Sequence, residues 1–194
     1  DLPPHITAAT GMDALCHNVE AYLSRGFNPM CEGIALAGIR LVADALERAT
    51  NNPDIESRSK MMMAALMGAT AFQKGLGIVH SLAHPLSTMF NTHHGLANAI
   101  MLSYGVEFNR EEVPERIRDI NEALGLSREA DLVEWLREYN GKLGMPTSLS
   151  ALDVNEAHVD DLAALALADV CHQCNPRKAG LTDFKSIYRE ALNS

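Results

Sequence analysis

Long apolar runs are missing from this 194-residue sequence. The longest, such as Leu96 to Leu102, fall far short of the roughly 20 residues that span a bilayer. Basic residues are also scarce: 16 Lys and Arg stand against 25 Asp and Glu, for a formal net charge of −9. Nucleic-acid backbones are held by clustered Lys and Arg, so this balance excludes nucleic acid as a partner. No basic amphipathic stretch is present, which argues against a membrane surface as well. The N-terminus, Asp1-Leu2-Pro3-Pro4, lacks a charged n-region and an apolar h-region, so no signal peptide is expected. It also lacks a starting Met, as expected of a piece of a longer chain.

Cysteine is sparse, with four residues: Cys16, Cys31, Cys171 and Cys174. Cys171 and Cys174 form one Cys-x-x-Cys, and a zinc ribbon would need a second such pair. Thioredoxin-like chemistry would need a βαβ context, which the pattern does not offer. The set reads as small thiols in a reducing, cytoplasmic compartment. Runs of alternating β-branched residues are absent too, so no sheet is expected. No repeat, low-complexity tract or interdomain linker interrupts the chain.

What remains is helical. With 47% apolar residues the chain has material for one sizeable core and is short for two domains. The spacing predicts helices from Pro4 to about Ser24, with Thr10 as a cap and Gly11 as a point of interruption, and from Pro29 onward after Asn28. Asp54 is placed to cap a third helix reaching about Phe72; its Met61, Met62, Met63 and Met67 suit either core or an adaptable pocket wall. After the breaker Gly75-Leu76-Gly77, helices are expected over 78–89, 94–109, 114–124, 129–143, 156–174 and 182–192. One all-α domain over 1–194 is the simplest account.

Four of the eight histidines, His80, His84, His93 and His94, fall within one short segment. Residues four apart on a helix share a face, so His80 and His84 point the same way. A turn near Asn91 can fold His94 back onto that face. Upstream, Asp13 and His17 have the same spacing on an otherwise apolar stripe. An acid and an imidazole on such a stripe are costly to bury unless paired or bound to a metal. One carboxylate and up to four imidazoles suit a divalent ion of borderline softness, Fe²⁺ or Zn²⁺, whereas Ca²⁺ or Mg²⁺ would want more oxygen ligands. The plainer readings are a dipole-favoured Asp13, hydrogen-bonded core histidines at His17 and His84, and a surface His93.

Three segments carry a family resemblance. Thr10-Gly11-Met12-Asp13-Ala14-Leu15-Cys16-His17-Asn18-Val19-Glu20-Ala21-Tyr22 resembles a signature of the iron-containing, or group III, alcohol dehydrogenases. Gly75-Leu76-Gly77-Ile78-Val79-His80-Ser81-Leu82-Ala83-His84-Pro85-Leu86, continued by Asn91-Thr92-His93-His94-Gly95-Leu96-Ala97-Asn98-Ala99, resembles the second signature. Asn175-Pro176-Arg177 is similar to a loop common in that family, and the resemblance covers essentially the whole chain.

The resemblance implies an all-α domain of the dehydroquinate synthase-like and iron-containing alcohol dehydrogenase type. In the family this domain follows an α/β dinucleotide-binding domain, which residues 1–194 do not contain. Asp13, His17, His80 and His94 are implied as ligands of one Fe²⁺ or Zn²⁺. His84 is implied near the cofactor and the reacting alcohol, as a member of a proton relay. Phe72 and Cys171 are implied near the substrate, while His93 stands where some members carry Pro and inherits no role. NAD(P) would be bound mainly by the missing domain, the substrate would be a small alcohol, aldehyde or ketone, and a homodimer is expected from family habit. Gly75-Leu76-Gly77 is too short for a nucleotide loop and reads as a tight turn between helices. The isolated piece is therefore expected to be inactive. Two other classes stand beside this reading. An all-helical metal-dependent hydrolase would want a His-Asp dipeptide or a second metal, plus a basic phosphate clamp, and neither is visible near His80 or His94. A non-catalytic helical domain would use the cluster for structure alone.

Overall fold

Proline opens the first helix. In the computed structural model, which describes residues 2–193, α1 runs Pro4–Leu23 with Pro4 in its first turn, where no N–H is needed. From Thr7 to Leu23 it is buried on nearly every side, as a helix through the middle of a core must be. α2 (Pro29–Asn51) is capped by Asn28, whose side chain accepts from the Cys31 N–H at 3.2 Å. α3 (Ile55–Ala71) starts on a reciprocal capping box between Asp54 and Ser57. Both pack on α1, and so does α5 (His94–Asn109), which is itself almost wholly buried.

α4 (Ile78–Phe90) lies on α5 and ends at Asn91, which adopts the left-handed conformation at φ 52°. That residue turns the chain so that α5 can begin at His94. α6 (Pro114–Ala123) sits on α2, and α7 (Leu132–Lys142) sits on α5. α8 (Val159–Ala168) and α9 (Leu181–Leu192) pair with each other, and α8 also covers α4. Short 3₁₀ turns join them, and no strand occurs among the described residues. No single helix among those residues is long and apolar enough to cross a membrane.

Four local expectations are corrected. Thr10 is no cap: it lies mid-helix and its hydroxyl donates to the Ile6 carbonyl at 2.8 Å, a common side-chain bond within a helix. Gly11 does not interrupt α1; its missing side chain makes room for Leu46 of α2. The helix expected over 156–174 is three pieces, a 3₁₀ turn, α8, and a second 3₁₀ turn at Cys171–Cys174. The chain leaves α8 at Asp169, whose extended ψ of 143° ends the helical path. The helix expected from Glu129 begins at Leu132, because Asp131 accepts from the Val133 and Glu134 N–H groups and caps it there. Of the Met-rich stripe, Met61 is buried while Met62 and Met63 face outward.

One close approach sets where the start of α5 meets α1. A Cβ built on Gly95, the second residue of α5, would lie 2.3 Å from the Ala9 carbonyl oxygen of α1. Backbone cannot yield as a side-chain tip can, so only hydrogen fits between the helices there. Gly95→Ala should therefore push the start of α5 off α1 and lose about 1–3 kcal/mol, the usual range for overpacking. Urea unfolding of the variant measures this, and an unchanged midpoint would mean that the helices part freely.

Candidate metal centre

Three helices deliver the polar groups. α1 presents Asp13 and His17 one turn apart, α4 presents His80 and His84 one turn apart, and α5 presents His94 in its first turn. One donor atom each from Asp13, His17 and His80 lie within 4.8 Å of one another. His94 joins them, with its Nε2 3.6 Å from Asp13 Oδ1. The His17 and His80 rings stack at 4.7 Å between centroids, and the His94 ring lies 5.5 Å from that of His80. His80 is almost fully buried, whereas Asp13, His17 and His94 are partly open.

Asn98 shows where these groups aim. It stands one turn after His94 on α5, fully buried. Its Nδ2 lies 2.6 Å from Asp13 Oδ1, 2.9 Å from His94 Nε2 and 3.3 Å from His80 Nε2. The Asp13 carboxylate demands a donor, which fixes the amide with its NH₂ inward. The NH₂ has two hydrogens for these three neighbours and cannot donate to all of them at once, but an imidazole N–H set against it would clash, which favours bare Nε2 atoms on His94 and His80. The Asn98 Oδ1, turned away, is buried without a hydrogen-bond partner. One carboxylate oxygen and imidazole lone pairs from three helices, converging on one point, fit a divalent ion that accepts N and O ligands.

The electrostatics favour neutral imidazoles at two positions. Burial pulls His17 below its ordinary value against the opposing charge of Asp13. Burial does the same to His94, again against Asp13 and with help from the neighbouring histidines. At His80 burial is outweighed by the Glu20 carboxylate, and the pKa rises. Glu20 lies on α1, 4% exposed, with Oε2 on His80 Nδ1 and Oε1 accepting from the Val79 N–H at 2.7 Å. Cys16 lies near both, but burial and the two carboxylates push its thiol well up, so it stays protonated and a poor ligand.

His84 stands beside this group rather than in it. Its ring stacks on His94 at 5.3 Å, and its Nδ1 is 2.7 Å from Asp169 Oδ2. Asp169 also accepts from the Ser81 hydroxyl at 2.7 Å and the Cys171 N–H at 2.8 Å. Phe72 lies against His17 at 5.3 Å between rings, and Cys171 adjoins Asp169. His93 is the residue just before α5 and makes no side-chain cap. Among the described residues no Lys or Arg pairs with Asp13, Glu20 or Asp169.

Glu20, Asn98 and Asp169 escaped the reading of the sequence. Asn98 carried a usable signal, its four-residue spacing from His94. Glu20 lies three residues after His17, on the same side of α1. Asp169 carried none, since it meets His84 across 85 positions of sequence.

The hydrogen bonds to Asp169 outweigh its burial and hold its carboxyl down at about 2. A depressed carboxylate contributes stability above the ordinary aspartate range, and that contribution is lost as pH falls toward the folded value. Asp169→Asn should therefore cost about 1–2 kcal/mol near neutrality. The difference from the native chain should shrink between about pH 4 and 2. Urea titrations at several pH values measure it, and a pH-independent difference would remove the carboxylate from the account.

Comparisons with known proteins give the family and the fold. The profile of the Fe-containing alcohol dehydrogenase family, C-terminal part, matches residues 7–192. The 4-hydroxybutyrate dehydrogenase of Cupriavidus necator is 39% identical over 98% of this chain and 53% of its own length. The NAD-dependent methanol dehydrogenase of Bacillus methanolicus is 36% identical over 98% of this chain and 52% of its own. A crystal structure of 1,3-propanediol oxidoreductase superposes with a TM-score of 0.94 at 34% identity, covering 99% of this chain and 53% of that one. The chain thus spans about half the length of the relatives it matches. It belongs to the iron-containing alcohol dehydrogenase family, corresponding to that family's C-terminal helical part.

Proposed function

We propose that this chain is the metal-binding half of an NAD(P)-dependent alcohol dehydrogenase, interconverting a small alcohol and its aldehyde or ketone. Asp13, His17, His80 and His94 hold one Fe²⁺ or Zn²⁺. The convergence of donor atoms from α1, α4 and α5 around the Asn98 amide carries this reading. When bound, the ion supplies Lewis-acid polarisation of the substrate oxygen. Relatives named as dehydrogenases for methanol and 4-hydroxybutyrate support the reaction class. A relative named sulfoacetaldehyde reductase, solved in complex with NAD⁺, supports the cofactor. NAD(P) is bound mainly by the other half of the longer protein, and the cytoplasm suits four cysteines that are all free.

His84 handles the proton. Asp169 holds its Nδ1, which leaves Nε2 to exchange a proton, and the side chain is 40% exposed. It stands one turn after the buried His80 and against the His94 ring, and an imidazole open to solvent can serve as a general acid or base. A hydrolase reading gains nothing from the structure, since among the described residues no Lys or Arg pairs with the carboxylates of the cluster.

Anaerobic titration should load one equivalent of Fe²⁺ or Zn²⁺ on this chain, and His80→Ala should abolish tight binding. Failure of uptake both here and in the full-length protein would sink the proposal. In that full-length protein, His84→Ala should lower turnover about 10²-fold and remove one limb of the pH profile, with metal content unchanged. Unchanged kinetics would take His84 out of the mechanism. The 194-residue chain alone should show no NAD(P)-dependent turnover, and measurable turnover would refute the division of labour.

A further inference from the structure

α4 begins without a cap of its own. Gly77 occupies the capping position and has no side chain to offer. The first two N–H groups of the helix are taken by residues from elsewhere. Ile78 N–H donates to Asn175 Oδ1 at 3.1 Å, and Val79 N–H donates to Glu20 Oε1 at 2.7 Å. A Cβ on Gly77 would lie 2.7 Å from Glu20 Oε1 and 2.9 Å from Asn175 Oδ1, so the turn must be bare to admit both. The second oxygen of Glu20 is free to meet the next residue of α4, and it meets His80 Nδ1.

We propose that Glu20 is a positioning residue that sets the tautomer of His80. Its Oε2 accepts the proton on Nδ1, which leaves the lone pair on Nε2. The other side of the ring agrees with that assignment. Nε2 faces the Asn98 NH₂, a donor whose orientation is fixed by Asp13. A ring protonated on Nδ1 and bare on Nε2 satisfies the Glu20 carboxylate and sets no N–H against the Asn98 NH₂. That is the form able to ligate a cation at the Asp13, His17 and His94 cluster, so the inference rests on the proposed metal site. A ring held by a carboxylate is also more basic at its other nitrogen and loses no freedom on ligation.

Glu20→Gln separates this role from helix capping, because Gln has the same shape and burial. Its carbonyl oxygen can still accept from the Val79 N–H. Its NH₂ must then face His80 Nδ1, which turns Nδ1 into the acceptor and moves the proton to Nε2. The reverse orientation sets that NH₂ against the Val79 N–H and is worse.

The test uses ¹⁵N chemical shifts of the His80 ring in the metal-free chain, with Zn²⁺ affinity measured by competition against a chromophoric chelator. The native chain should show its proton on Nδ1. Glu20→Gln should move it to Nε2 and weaken Zn²⁺ binding about 10–100-fold. Asn175→Ala removes the other acceptor at the same helix start and should lower stability without moving the tautomer. A native His80 protonated on Nε2 would overturn the inference, and this holds even if the Gln variant fails to fold. So would a folded Glu20→Gln with native tautomer and affinity, or an Asn175→Ala that shifts the tautomer as strongly. A native chain that takes up no Zn²⁺ while His80 carries its proton on Nδ1 would support the role of Glu20 and overturn the cation reading alone.

Discussion

The start of α4 is held from outside. Buried N–H groups left without acceptors cost about 1–3 kcal/mol each, and the glycine before this helix can satisfy none of them. Glu20 on α1 and Asn175 in the loop after Cys171–Cys174 supply the acceptors. Asn175 is in turn locked by a reciprocal amide pair with Asn109 at the end of α5. Arg177 continues the anchor, donating to the Phe108 carbonyl at 3.2 Å and lying over the Phe108 ring. The first turn of α4 is therefore fixed against α1 and α5 together. His80 sits in that turn and His84 one turn later, so the geometry of the candidate centre descends from this capping.

The second constraint is the conflict between burial and polarity on α1. A helix surrounded by apolar neighbours carries Asp13, His17 and Glu20 on its course. Each has a partner that makes burial tolerable: Asn98 for Asp13, the stacked His80 and Phe72 for His17, and the Val79 N–H and His80 for Glu20. In a low-dielectric interior such bonds are strong and their absence is expensive, so the network specifies one arrangement. Burial lowers the pKa of His17 and His94, which favours the deprotonated form that a cation needs. Asp169 does for His84 what Glu20 does for His80, outside the core and with more solvent.

Much of this was legible beforehand, for identifiable reasons. Helix periodicity and breakers located α2 to α6 closely, because Asn28, Asp54, Asn91 and Pro114 act through local backbone geometry. The four-residue spacings of Asp13 to His17 and His80 to His84 read directly as shared faces. The misreadings came where local signals compete with packing. Thr10 has a capping side chain, yet Pro4 had already begun the helix. The apolar run after Glu156 has helical spacing throughout, but Asp169 leaves the helix to meet Ser81, His84 and the Cys171 N–H.

The sequence by itself determined the all-helical class, the turn at Asn91 and the pairing of polar residues on single helix faces. These follow from backbone dihedrals and a 3.6-residue period, which act over a few positions. Tertiary structure decided which nitrogen of each histidine is held, which carboxylates hold them, and where the three helices meet. Those choices depend on contacts across as many as 97 positions, such as Ile78 with Asn175, and on the single hydrogen that Gly95 places against Ala9. Spacing along one helix carries no information about them, because the distance between helices is set by what packs between them.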